Sequence, residues 1–315
     1  MLEATVRVER EQPVDAAPEK VWELVRSMAA LSAMPERFAF AVPGPLAGTD
    51  RLCCLLVRTG NMHCAVLDVR DEVPDQAICW QTRNTQPSGR QLVRLSVLPR
   101  SAGSAIHVAV SDVVPWSTKG QYDRFWRSHL EEWTGRLQAI AENRMPWPSA
   151  TLPAEMREAA AIRPPLERPV RVSAGVLIKA AVPDVWAAVW AAESVRLIDP
   201  EHVAYAGHVP GTPEQEAGEM QYMVRRHPGD RFTAAVHVVR ELTREQQAVT
   251  QHLGPPHDEV VHTITPARGG TCLELECRWS ADTHRHDRKR KDSVAKKLRA
   301  MAEGYRDMVE SPDAP

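Results

Sequence analysis

The feature that most constrains this chain is an internal repeat. Residues 14–25, VDAAPEKVWELV, recur in altered form at residues 178–189, IKAAVPDVWAAV. Near the end of each half, apolar residues also recur at helical spacing: Trp126, Leu130, Trp133, Leu137 and Ile140 are matched by Val294, Leu298, Met301, Tyr305 and Met308. Two signals in the same order and at nearly constant offset predict a duplicated domain, because the period far exceeds that of a solenoid repeat.

Length, charge and cysteine content agree with two soluble domains. The 315 residues are enough for two domains of roughly 150 residues each. The formal net charge of -2 provides no general attraction to nucleic acid or to an anionic membrane. The six cysteines lack metal-knuckle or disulfide-framework spacing, so reduced thiols are expected. Without a secretory leader or an apolar run of ~18 residues, the chain is expected to be cytoplasmic, with no membrane insertion.

The pattern along each half predicts a strand, a short helix, several antiparallel strands and a long final helix. Pro18 follows an alternating strand and is placed to open the first helix. Between the halves lies a Pro-rich stretch with a short helical segment at residues 154–161. We therefore expect a first domain at residues 1–144, a linker at residues 145–169 and a second domain at residues 170–311.

This order of elements predicts an α+β fold made of two tandem helix-grip domains. A strand-rich sheet can bury its apolar face together with that of a long final helix by curving around the helix. Such a curved sheet commonly encloses a cavity, and a cavity with apolar walls and a few polar groups binds hydrophobic small molecules.

The order of elements and the pattern apolar-x-Ala-Ala-Pro-Glu-x-Val-Trp resemble the START-like (SRPBCC) superfamily, which includes polyketide cyclases and the pollen-allergen fold. Two fused copies resemble the bacterial aromatase/cyclase didomains. The resemblance implies a cofactor-independent cyclase or dehydratase that acts on a polyketide or related hydrophobic intermediate by positioning and acid/base catalysis. The superfamily also contains carriers, resistance proteins that sequester metabolites, and co-chaperones, so a non-catalytic carrier and an interaction protein stay open as alternatives.

Agreement between the two copies predicts which side chains face the interior, because side chains alternate across a strand. In the last strand of each copy, the inward set ends at Asp112 and at Trp279. In the preceding strand, His262 occupies the inward position of Leu95. In the strand before that one, Gln251 is aligned with Trp80 as an inward residue. In an earlier strand, Leu56 and Arg58 are aligned with Val224 and Arg226 as inward residues.

Four of these residues are candidates for catalysis. Arg58 and Arg226 either extend to water, as strand-end arginines commonly do, or bind a carboxylate, enolate or phenolate oxygen. His262 is either a core histidine or a general acid or base. Asp112 either caps the adjacent turn or, if desolvated, has a raised pKa and accepts a proton from a carbon acid.

Aromatic and amide side chains are the candidates for ligand contact. Aromatic rings serve equally as core and as stacking surface, so both interpretations stay open. The candidates are Trp80, Trp116, Tyr122, Trp126, Tyr222, Gln251 and Trp279. The second copy has more polar side chains at these positions, which suggests that the copies have diverged and that one of them is the working site.

Other sequence patterns give weaker evidence of function. Histidines such as His252, His257 and His286 lack a carboxylate or cysteine at ligand spacing, so we expect no metal and no cofactor. A basic cluster at residues 285–291, followed by Lys296 and Lys297, predicts either a solvated helix face or a surface for an anionic partner such as an acyl carrier protein. No nucleotide fingerprint or Gly-x-Ser-x-Gly motif is present.

Overall fold

The computed structural model describes residues 2–42, 52–59, 61–83, 91–229, 231–281 and 284–311. The chain divides into two compact units. The first comprises residues 1–59, 64–153 and 227–234, and the second comprises residues 60–63, 154–226 and 235–315. In the described part of the chain no helix is both long enough and apolar enough to cross a membrane.

The first half contains an antiparallel sheet and three helices. Its strands are β1 (Glu3–Val14), β2 (Arg37–Ala41), β3 (Leu52–Thr59), β4 (Asn61–Val73), β5 (Ala77–Thr82), β6 (Leu92–Pro99) and β7 (Ser104–Pro115). Its helices are α1 (Pro18–Val25), α2 (Met28–Ser32) and α3 (Lys119–Ala141). The strand order is β1-β7-β6-β5-β4-β3-β2. As the sequence predicted, Pro18 opens α1, where its missing N–H costs nothing.

The second half repeats this order after a short helix, α4 (Ala154–Ala161), which is the helix predicted before the second copy. Its strands are β8 (Pro169–Ile178), β9 (Val203–His208), β10 (Met220–His227), β11 (Arg231–Thr243), β12 (Gln247–His252), β13 (Glu259–Ala267) and β14 (Gly270–Ser280). Its helices are α5 (Val182–Trp190), α6 (Ser194–Ile198) and α7 (His284–Glu310). The strand order is β8-β14-β13-β12-β11-β10-β9. The chain is thus an α+β protein built twice on one plan.

The long helix of each half covers one face of its own sheet, which we call the inner face. In the first unit, α3 buries the predicted apolar stripe from Trp126 to Ile140 against β1, β6 and β7. In the second, Leu298 and Tyr305 of α7 are buried in the same way against β8 and β14. Burial of these side chains removes a large apolar area from water, which is the main source of stability in both units.

Candidate functional site

The inner face of the second unit carries a row of residues that are paired across neighbouring strands. His262 of β13 lies opposite Leu275 of β14 on one side and Ala248 of β12 on the other. Because Leu275 and Ala248 both belong to the core around α7, His262 faces inward with them. The predicted inward position of this histidine is therefore where the structure places it.

The imidazole of His262 is enclosed by protein, yet part of the residue's surface stays accessible. No hydrogen-bond partner for its ring nitrogens is found among the described residues. Burial lowers the pKa of His262 to about 4, so the ring is neutral near pH 7 and offers one donor and one acceptor.

A second pair of imidazoles lies on the same face and was missed by the sequence reasoning. The ring centroids of His237 and His252 are 5.3 Å apart, and the two residues are directly opposite on β11 and β12. Nδ1 of His252 lies 2.6 Å from the carbonyl oxygen of Gly254, which places the proton on Nδ1. Burial lowers the pKa of His237 to about 3, and nearby positive charge at Arg225 acts in the same direction.

Further polar groups without partners belong to the same core. Trp186 and Trp190, one turn apart on α5, hold their indoles parallel, with centroids 5.4 Å apart and planes inclined by 5°. Both indole N–H groups are buried and have no hydrogen-bond partner among the described residues. Tyr305 of α7 is also buried, and burial raises the pKa of its phenol. Buried polar groups are normally paired, so a cluster of unpaired ones calls for an explanation.

The inner face of the second unit ends at a polar wall. Trp279, predicted as a ligand contact, is fully buried, and the guanidinium carbon of Arg290 lies 4.7 Å from its ring centroid. Arg290 also forms an ion pair with Asp258, while the indole N–H of Trp279 donates to Asp287 at 3.3 Å. These contacts fix the indole ring of Trp279 at this end of the core.

The inner face is filled less completely in the second unit than in the first. On β1, Val6 and Val8 are buried at 2% and 3% exposure. The corresponding edge strand of the second unit, β8, has Val170, Val172 and Val176 only partly buried, although they pack on the same core. The edge strand of the second unit is therefore covered less completely than that of the first.

The candidates of the first unit gather at one end of its inner face. Asp112 is 2% exposed and lies opposite Val6 of β1. Tyr122 packs against the same core and is close enough to Asp112 for the carboxylate charge to help raise its pKa. Trp80 and Trp126 are buried in this core. Burial raises the pKa of Asp112 to about 6.

The expected inward facing of Arg58 is wrong. On β3, Leu55 and Val57 belong to the core around α3, so Arg58 lies on the opposite face. It binds Glu36, with Nη2 2.7 Å from Oε1, and its side chain is 37% exposed. Both faces of this strand are buried, so burial alone does not indicate which residues point inward.

The corresponding strand of the second unit carries two neighbouring arginines. Arg226 is exposed, while Arg225 is half-buried and its charge helps to lower the pKa of His237. Tyr222 of the same strand lies against Gly207 of the neighbouring strand, where a Cβ would approach the phenol oxygen to 3.0 Å. Arg225 is therefore the arginine of this strand whose charge acts on the histidines.

Gln251 also faces away from the interior. It lies opposite Glu259, and Thr250 is the residue of β12 that pairs with the inward Val260. The Gln251 amide accepts from Arg240 at 2.9 Å and donates to the carbonyl of Pro164 at 3.2 Å. Arg240 also donates to the carbonyls of Ala160 and Ile162, so this network fixes the segment after α4 to the outer face of the sheet.

Trp116 lies outside the core as well, with 65% of its surface exposed. A groove of about 490 Å³ lies on the outer face of the first sheet, and its lining residues are Thr5, Arg70, Gln81, Leu92, Ser111, Asp112 and Val113. Since Thr5, Leu92 and Ser111 alternate with inward residues, this groove opens on the outer face, and Asp112 is the inward residue that it reaches.

Two remaining expectations concern metals and the basic cluster. In the part of the chain that the structure describes, no three His, Cys, Asp or Glu side chains are placed to hold a metal ion.

The basic cluster begins α7, where Arg288, Lys289 and Lys291 are exposed and Arg290 is bound to Asp258. The side chains of His284, Arg285 and His286 lie outside the described residues.

Comparison with known proteins gives similarity to solved structures alone. No family model and no curated protein matches the chain. The di-domain ARO/CYC StfQ from the steffimycin biosynthetic pathway is 16% identical, with 97% of each chain covered and a TM-score of 0.36. BexL, a di-domain ARO/CYC from the BE-7585A pathway, is 15% identical, with 99% of each chain covered and a TM-score of 0.37.

A single-domain protein, the Zhui aromatase/cyclase from Streptomyces sp. R1128, is 16% identical, with 45% of this chain and 96% of that chain covered and a TM-score of 0.39. Identities and TM-scores this low carry no inference about activity. The chain is similar, along nearly its whole length, to two-domain aromatase/cyclases, as the sequence indicated.

Proposed function

We propose that this protein is a small-molecule protein of the aromatase/cyclase kind, in which each unit is a helix-grip domain and the inner face of the second unit holds the reacting molecule. The observation that carries the proposal is the imidazole of His262, which lies deep in the unit with accessible surface and no partner among the described residues. A buried polar group of this kind is stable when a ligand or an enclosed water binds it.

The chemistry of the inner face indicates the class of ligand. Imidazoles at His262 and His237 and indole N–H groups at Trp186 and Trp190 supply donors that the described residues do not use. Carbonyl, enol and phenol oxygens are the matching acceptors, and the apolar walls suit a carbon skeleton. The ligand expected here is a hydrophobic molecule with several ring or chain oxygens, such as a polyketone.

The reaction that fits these groups is ring closure without a change of oxidation state. A carbon beside a carbonyl loses its proton to a water molecule or a neutral imidazole, the enolate carbon bonds to a second carbonyl carbon of the same molecule, and the new alkoxide takes up that proton. Loss of water and enolisation of the remaining ketone then yield an aromatic ring. A neutral imidazole assists by donating a hydrogen bond to the enolate oxygen. With its pKa lowered to about 4, His262 stays neutral near pH 7 and is suited to that role.

The same neutral imidazoles support a second candidate, a carrier or sequestering protein that holds the molecule unchanged. Hydrogen bonding by His262 and His237 serves binding alone equally well. The two candidates differ in turnover: incubation with a linear poly-β-ketone yields a cyclised product that has lost water if the protein is an enzyme, and returns the intact chain if it is a carrier. Mass spectrometry distinguishes these results.

Binding to the second unit is tested by calorimetric titration with 1,8-dihydroxyanthraquinone, a planar hydroxylated diketone. His262→Leu installs the residue of the first copy at this position and removes both ring nitrogens. Loss of one hydrogen bond to a buried group costs about 1–1.5 kcal/mol, so the affinity is expected to fall about tenfold. Ile264→Val, on the same strand and face, is the matched control and should bind as wild type does. Equal affinity of His262→Leu and wild type would contradict the proposal.

A further inference from the structure

The outer faces of the two sheets carry the same pair of polar side chains at equivalent places. In the first unit, Arg70 lies at the β-bulge of β4, and Gln81 is the fifth residue of the neighbouring strand β5. In the second unit, Arg240 lies at the β-bulge of β11, and Gln251 is the fifth residue of the neighbouring strand β12. Because the two units also share one strand order, the arginines are counterparts of each other, and so are the glutamines.

In the second unit this pair binds the main chain of residues 160–164, which we call the strap. The arginine donates to the carbonyl oxygens of Ala160 at 2.7 Å and of Ile162 at 2.9 Å. The amide of the glutamine donates to the carbonyl oxygen of Pro164 at 3.2 Å. Since Arg163 and Pro164 each precede a proline, the segment is extended beyond α4. An arginine and a glutamine in this arrangement therefore bind the carbonyl oxygens of an extended segment.

In the first unit the same two side chains line an open groove. Both Arg70 and Gln81 belong to the groove of about 490 Å³ on the outer face, together with Thr5 and Ser111, which add hydroxyl groups. Arg70 is exposed, and neither it nor Gln81 has a hydrogen-bond partner among the described residues. Gln251, by contrast, is fully buried where it binds the strap. The first unit thus has the donors of the strap site with an open groove in front of them.

One position beside the pair differs between the units and determines the side chain that each site accepts. Glu259, the cross-strand partner of the glutamine in the second unit, is replaced by Leu92 in the first. Arg163 of the strap binds Glu259, with Nη2 2.7 Å from Oε1, and also binds the more exposed Glu241. The first unit keeps the exposed carboxylate, at Asp71, and has an apolar side chain in place of the buried one. Beside Leu92 an apolar side chain is therefore favoured over an arginine.

We propose that the groove on the outer face of the first unit is a docking site for an extended, proline-containing segment of another protein. Main-chain carbonyl oxygens of that segment accept from Arg70 and Gln81, and an apolar side chain packs on Leu92. A proline suits the segment because it holds the backbone extended before binding, which lowers the entropy lost on docking. This goes beyond the proposed function, since it concerns a partner protein and the opposite face of the sheet.

The test is fluorescence anisotropy of labelled peptides added to the full chain. The probe is the peptide of residues 159–167 with Arg163→Leu, AAAILPPLE, and the comparison is the unaltered AAAIRPPLE. We expect the leucine peptide to bind about tenfold more tightly than the arginine peptide, since Leu92 offers no charge partner. Arg70→Ala should weaken binding of the leucine peptide about tenfold and Gln81→Leu about fivefold. Arg124→Ala, which removes an exposed arginine of α3, is the matched control and should bind as wild type does.

Three results would overturn the proposal: no saturable binding of the leucine peptide, equal binding by wild type, Arg70→Ala and Gln81→Leu, or an arginine peptide that binds as tightly as the leucine peptide. Near-ultraviolet circular dichroism of each variant checks that the core is intact. Failure of the histidine site in the second unit would leave all three results unaffected, because that site is measured with the quinone and His262→Leu.

Discussion

The imidazole rings of His237 and His252 lie 5.3 Å apart, centroid to centroid, on the inner face of the second unit. Protonation of both rings is disfavoured there, since burial lowers the pKa of both. His252 is oriented by the Gly254 carbonyl, whereas His237 has no hydrogen-bond partner among the described residues. Together with His262 they form a neutral polar surface, which is suited to oxygen atoms of an uncharged ligand.

Stability should depend on pH through these histidines. His237 and His262 have folded pKa values of about 3 and 4, below the unfolded value of 6.5, so the unfolded state binds more protons between those limits. The stabilisation that comes from keeping these histidines neutral is therefore fully present above about pH 6.5. The free energy of unfolding declines as the pH falls from there toward 4. Urea unfolding at several pH values measures this decline.

His262→Leu should make that decline shallower, since one of the two groups is removed. His202→Leu, which removes an exposed histidine, is the control. An unchanged pH profile for His262→Leu would show that this imidazole is not held neutral by the fold.

Gln251 should matter for stability and not for ligand binding. It is fully buried and joins Arg240, Pro164 and His257 through its amide. Gln251→Leu leaves these groups unpaired, so the free energy of unfolding should fall by about 1–3 kcal/mol. Gln247→Leu, at an exposed site on the same strand, should change it by less than about 0.5 kcal/mol. A selective loss of quinone binding in Gln251→Leu would instead restore it as a ligand contact.

The neighbouring arginines of β10 should behave differently. Arg225 helps to lower the pKa of His237, so Arg225→Ala should raise that pKa, as read from the imidazole signals in an NMR titration. Arg226 is exposed, and Arg226→Ala should leave both the imidazole signals and quinone binding unchanged. The opposite pattern would show that the strand is turned as the sequence first suggested.

The duplicated plan was predictable because both copies carry the same helix signals. Inward facing was predicted correctly where strands alternate between buried and exposed residues, as at Val108, Val110 and Leu275. It was predicted wrongly in β3 and β12. Residues 54–57 and 248–251 are buried on both faces of their strands, so buried and exposed residues do not alternate there. The facing of Arg58 and Gln251 could therefore not be predicted from the sequence.

His237 was missed for a related reason. It lies on β11, where the register shifts between Val239 and Glu241, so counting along the strand does not give its facing. Its facing follows instead from strand pairing. His237 lies opposite His252, and His252 shares the inner face with Val260 and Trp279, so His237 faces inward as well. Trp116 was wrongly predicted to contact a ligand because an aromatic residue that follows a strand can be either buried or exposed.

The central claim, that the second unit holds a hydrophobic oxygen-bearing molecule through neutral imidazoles, is tested most directly by native mass spectrometry of the protein purified from its own host. Wild type, His262→Leu and Arg226→Ala are compared side by side. We expect a copurifying small molecule in wild type and Arg226→Ala that is lost or strongly reduced in His262→Leu. A bound molecule retained equally in His262→Leu, or no bound molecule in any sample, would contradict it.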